Sequence, residues 1–225
     1  MLLLKIYNDS LLSFAKILDI FFIYNTYCKK YNIKFIFIDD YIIKFLNHKI
    51  IDSNFNNFIT YDIKKLLQNK HTNFINLNNL NDNILININI QNNSFIYELL
   101  LNYITDAEIN NNIMSYKNII YNNLFIYFNY NYICIDLHLG DIINDTKNYV
   151  SIDTFKKAYD NINKLNYKTI IIKYNNEINF DKYFNNCIII NYNDYNGIEL
   201  FYIMLNSNNL ISSNNLLSKY VLLYK

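Results

Sequence analysis

The chain is predicted to fold as α/β, in two lobes built on doubly wound, mainly parallel sheets. Short apolar runs such as LLLKIY at 2–7, KFIFI at 34–38, TIIIKY at 169–174 and CIIIN at 187–191 have the length and β-branched or aromatic content of buried strands. Stretches between them repeat their apolar residues at three and four, which is the helix period. The two patterns alternate along the 225 residues, and parallel strands need crossover helices of that kind.

Leu2 to Tyr7 reads as a buried strand, and Asn8, Asp9 and Ser10 suit a turn and a helix N-cap. An amphipathic helix runs from Leu11 to Tyr31 and ends on Lys29 and Lys30, which suit its dipole. With the strand Lys34 to Ile38 this makes a βαβ unit. Helices are expected at Tyr41 to Asn47 and Tyr61 to Lys70, and an alternating strand through Ile84, Ile86, Ile88 and Ile90. Two helices follow from Ser94, broken near Asp106 to Asn112. The second lobe opens on a strand through Tyr132, Ile133, Cys134, Ile135 and Leu137. It continues with helix Ser151 to Leu165, strands Thr169 to Tyr174 and Cys187 to Asn191, both buried on two faces, helix Gly197 to Ser207, strand Asn209 to Ser212 and helix Leu216 to Leu223. The lobes are placed at residues 1–125 and 126–225.

Hydrophobic residues make up 52%, enough for a core in each lobe. The chain lacks Pro, Trp and Arg, has two Gly, and is roughly one-fifth Asn, far above average usage. Asn, Ile, Lys, Tyr and Phe share AT-rich codons, so the bias is read as the signature of an AT-rich genome and not as a prion-like segment. Twenty Lys against 19 acids leave a net charge of +1, and no nucleic-acid partner is expected. Cys28, Cys134 and Cys187 are odd in number and set in apolar surroundings, which fits buried reduced thiols. MLLLKIYNDS lacks the pattern of a signal peptide, and Ile17 to Tyr24 is too short to span a bilayer. A soluble, cytoplasmic protein is expected.

Two polar groups fall at the carboxyl ends of strands, where open α/β sheets bind ligands. The first is Asp136, His138, Gly140 and Asp141, and the second is Glu199 with Ser212, Ser213 and Asn214. His138 beside two carboxylates reads either as a general base with an orienting acid or as a surface histidine at a turn. Ser213 and Asn214 read either as phosphate ligands before a helix N-terminus or as its caps. His48 and His71 have no second ligand at metal spacing, so no metal site is expected. Neither GxxxxGK[ST] nor GxGxxG nor GxSxG is present, which disfavours P-loop, standard dinucleotide and esterase chemistry.

The order of strand, D-L-H-L-G-D turn, helix, two strands, helix starting at Glu199 and Leu200 with Met204 one turn on, and Ile211-Ser212-Ser213-Asn214 turn before a last helix resembles the alpha-1,2-fucosyltransferase family and its GT-B relatives. Gly140 and Asp141 match the family's H-x-R-x-G-D turn. His138 stands at its arginine and Asp136 at its histidine, and the glycines of its N-terminal loop are absent from YNDSL at 7–11. The resemblance implies a GT-B-like pair of Rossmann-like lobes, with the acceptor on the first and the nucleotide-sugar on the second. It implies sugar transfer from a donor such as GDP-fucose to a glycan hydroxyl, without metal or other cofactor. It would place Asp136, His138 and Asp141 at the catalytic centre and His138, Gly140, Glu199, Ser212, Ser213 and Asn214 around the donor. A non-catalytic descendant of that fold, kept as a binding protein, and an unrelated doubly wound domain are the other readings.

Overall fold

A computed structural model of the chain describes residues 2–7, 12–47, 59–61, 83–90, 94–137, 150–162, 167–174, 180–184, 186–213 and 215–225. It divides into two units, Met1–Asn123 and Leu124–Lys225. Each is built on a four-stranded parallel sheet with helices, the α/β class expected from the sequence and compatible with a Rossmann-like lobe.

The first unit has strands β1 (Leu2–Tyr7), β2 (Lys34–Ile38), β3 (Ile59–Tyr61) and β4 (Ile84–Asn89), in the order β2-β1-β4-β3. Its helices are α1 (Phe14–Lys30), α2 (Asp40–Leu46), α3 (Ser94–Leu101), α4 (Asp106–Met114) and α5 (Lys117–Asn122). Helix α1 starts later than expected: Ser13, and not Ser10, is the N-cap, its hydroxyl accepting from the Lys16 amide. It is also not amphipathic. Nearly every residue from Phe14 to Cys28 is buried, because aromatic residues of β2 pack on one side, with Phe21 against Phe35 and Phe37, while α3 and α4 cover another.

Helix α1 ends in a Schellman motif made without glycine. Asn32 adopts φ 52°, the Ile33 amide donates to Cys28 O at 2.8 Å and the Asn32 amide to Lys29 O at 3.4 Å. Asn47 and Asn186 are the other non-glycine residues with positive φ among the described residues. A chain this poor in glycine thus uses asparagine, the residue next most tolerant of the left-handed region, where its backbone must turn.

The break expected at Asp106 to Asn112 is instead helix α4. Thr105 and Glu108 form a reciprocal capping box that starts it, a signal that outweighs the polar Asn run. Tyr61 closes strand β3, and the rest of the helix expected over 61–70 lies outside the described residues.

The second unit comprises β5 (Tyr132–Leu137), α6 (Ile152–Asp160), β6 (Lys168–Lys173), β7 (Cys187–Asn191), α7 (Gly197–Asn206), β8 (Asn209–Ser212) and α8 (Leu216–Tyr224). The strand order is β7-β6-β5-β8, all parallel. Alternation along β5 sends Ile133, Ile135 and Leu137 to one face, where they pack with Phe155 and Tyr159 of α6, Ile171, Phe180 and Phe184. The other face carries Tyr132, Cys134 and Asp136; the Tyr132 hydroxyl donates to Ile203 O in α7 at 2.6 Å. Helices therefore cover both faces. Strand β7, expected to be buried, lies at the edge of the sheet and leaves Ile188 and Ile189 exposed.

Candidate functional site

Strands β5, β6 and β7 step across the sheet in one direction, and the chain then crosses back to place β8 on the free side of β5. The strand order thus reverses between β5 and β8, and the carboxyl ends of those two strands form a topological switch point, the place where open α/β sheets leave a crevice. Asp136 and Ser212 are register partners at that edge, and Asn215, the N-cap of α8, stands three residues after Ser212.

Asp136 is fully buried, with 0% exposure. Tyr174, the residue after β6, donates its hydroxyl to Oδ1 at 2.7 Å. Ser212 donates to Oδ2 at 3.2 Å, and the side-chain amide of Asn215 donates to the same oxygen at 2.5 Å. A carboxylate out of water is tolerable only with such donors. Asn215 is also the N-cap of α8: its Oδ1 accepts from the Ser218 amide at 2.9 Å, and the Ser212 and Ser218 hydroxyls lie 2.5 Å apart. One buried carboxylate thereby ties together the ends of β5, β6 and β8 and the start of α8. Its negative charge also lies near the positive end of that helix.

The surroundings respond to this charge. Burial, then the Asp136 carboxylate and its hydrogen bond, push the Tyr174 phenol far above its ordinary value, and burial with the same carboxylate raises Tyr192, stacked on Tyr174 at 4.4 Å. The Cys134 thiol, on the same face of β5, is pushed up by burial and then by Asp136. Each of these groups is neutral near pH 7 and supplies polarity without further charge.

Of the residues singled out in the sequence, the structure brings together Asp136 and Ser212. With both oxygens bonded to protein groups and no exposed surface, Asp136 is held as a buttress and not presented as an accessible base. Ser213 places its hydroxyl out of solvent with no hydrogen-bond partner among the described residues. Glu199 is used elsewhere: it closes a capping box with Asn196, accepting from the Asn196 amide at 2.7 Å while its own amide donates to Asn196 Oδ1 at 3.0 Å, and its carboxylate, after burial, raises the Tyr127 phenol. His138, Gly140, Asp141 and Asn214 lie outside the described residues, as do His48 and His71.

Two members of the cluster were missed in the sequence. Asn215, rather than Ser213 or Asn214, caps α8; the signal was its position three residues before Ser218 and directly before the apolar pair Leu216-Leu217. Tyr174 carried no signal beyond ending an apolar run, since its partner lies 38 residues away. Cys28 and Cys134 are buried free thiols and Cys187 is half-buried. No helix among the described residues is long and apolar enough to cross a membrane. No family model, curated protein or solved structure matches this chain.

Proposed function

We propose that the second unit binds a nucleotide-sugar at the β5–β8 edge and that the chain is a glycosyltransferase of GT-B type, fucosyltransferase-like, acting on a glycan hydroxyl. The observation that carries this reading is the Asp136–Ser212 pair at a topological switch point beside the N-terminus of α8, which is where a parallel α/β sheet offers backbone amides to a diphosphate. In this reading Asp136 is a positioning residue that holds Tyr174, Ser212 and Asn215 around the donor. His138 and Asp141 are the proposed diphosphate contact and base. Transfer breaks the bond from the anomeric carbon to the diphosphate, which leaves with the electron pair, as the acceptor oxygen attacks and gives its proton to the base. No metal or cofactor takes part.

The full closure of Asp136 favours a second reading, a protein of the same fold that binds nucleotide without turnover. Thermal unfolding of the intact chain with GDP, GDP-sugars and UDP-sugars tests both. A nucleotide at a hundred times its dissociation constant should raise stability by about 2.7 kcal/mol. Sugar release or transfer by the same sample supports the transferase, binding without turnover supports the second reading, and the absence of any shift with every nucleotide overturns both.

A further inference from the structure

In the first unit the last turns of α1 and helix α4 line a groove of about 450 Å³, in the size range of small-molecule sites. Its base is a buried polar network. Asn112, 7% exposed, donates to the Thr26 hydroxyl at 3.0 Å and accepts from the Asn25 amide at 3.4 Å and from the Lys29 ammonium at 2.5 Å. Asn25 also donates to the Tyr116 hydroxyl at 2.9 Å, and Thr26 donates to Phe22 O at 2.7 Å.

The two lysines at the groove differ. Lys30 pairs with Glu108 at 2.8 Å and donates to Tyr103 O at 3.0 Å. Lys29 gives one hydrogen bond to Asn112 and lies 5.3 Å from the centre of the Tyr116 ring, with no carboxylate at ion-pair distance among the described residues. Although the residue as a whole is exposed, burial of its ammonium pushes Lys29 below the ordinary lysine value. An ammonium placed over a satisfied polar floor and lacking a counter-ion is half of a charge-assisted pair. Asn111 and Ser115, one turn apart on α4 and its C-cap, add exposed polar groups to the same wall. Glu108 and the carbonyl end of α1 are close, so the groove suits one negative charge better than a polyanion.

We propose that this groove binds a small oxyanion-bearing molecule, a carboxylate or a phosphate monoester, with its charge against Lys29 and its polar body against Asn111 and Ser115. The site is independent of the nucleotide reading of the second unit. It is tested on the intact chain by following the Asn111 and Asn112 amide resonances while acetate or inorganic phosphate is titrated against chloride at equal ionic strength. Saturable shifts with one or both oxyanions and none with chloride are expected, and the stronger of the two identifies the ligand's anionic group. Lys29→Gln, which keeps a donor for Asn112 but loses the charge, should weaken binding about tenfold or more, and Lys29→Arg should retain it. Absence of a saturable shift with either anion, or unchanged affinity in Lys29→Gln, overturns the proposal. Should Lys29→Gln not fold, the wild-type titration repeated at high salt decides: an affinity indifferent to ionic strength does not rest on the Lys29 charge and overturns it equally.

Discussion

Tyr174 donates its hydroxyl to Oδ1 of Asp136 across 2.7 Å, joining the ends of two adjacent parallel strands through side chains where the backbone ladder stops. Because Asp136 has no contact with water, this bond and those from Ser212 and Asn215 replace its hydration, and the four groups stand or fall together.

Removing the carboxylate should expose that dependence. Asp136→Ala removes the acceptor that Tyr174, Ser212 and Asn215 share and is expected to cost about 3 kcal/mol. Asp136→Asn should cost about half as much, because its oxygen can serve Ser212 and Asn215 while the Tyr174 hydroxyl turns to accept from the new amide. Urea unfolding of the two variants measures this; equal stability of Asp136→Ala and wild type would show that the network contributes nothing.

Tyr174→Phe isolates a single member. The ring stacked on Tyr192 is preserved and one bond to a charged acceptor is lost, so a cost of about 1.5–2 kcal/mol is expected by the same measurement.

Alkaline pH should unfold the protein cooperatively. Burial is the leading cause that raises the phenols of Tyr24, Tyr132 and Tyr174, and it pushes Tyr202 up to about 12. The ordinary value in the unfolded chain is about 10. Above that value the unfolded state has lost protons that the folded state keeps. The stabilisation is thus whole below pH 10 and declines as pH rises towards and through the folded values, by up to ~1.4 kcal/mol per pH unit for each such tyrosine. Absorbance at 295 nm followed with circular dichroism should show these tyrosines ionising only as secondary structure is lost; their ionisation in the folded protein would contradict the assignment.

Two local signals should be measurable on their own. Glu199→Ala, which opens the capping box at the start of α7, is expected to cost about 1 kcal/mol. Asn32→Gly should be neutral or mildly stabilising, whereas Asn32→Ala should cost about 1 kcal/mol, because alanine resists the φ of 52° that ends α1. Thermal unfolding of the three variants checks both.

The apolar runs and their spacing determined the class of fold: a run such as TIIIKY is stable only when covered on both faces, and parallel strands covered by crossover helices satisfy that requirement. Local chemistry also made Ser151 legible as the cap of α6 and the start of α7 at Gly197. Caps hidden among polar residues were harder to see, as the Thr105–Glu108 box was in its Asn-rich setting. Tertiary structure alone decided that β8 returns beside β5 and that β7 takes the edge, since apolar content does not encode strand order. It alone brought Tyr174, Ser212 and Asn215 to Asp136 and Asn112 to Lys29. Those partners lie 38 to 83 residues apart in the chain, and a hydrogen bond across that distance is set by how the sheet and helices pack, not by any residue's near neighbours.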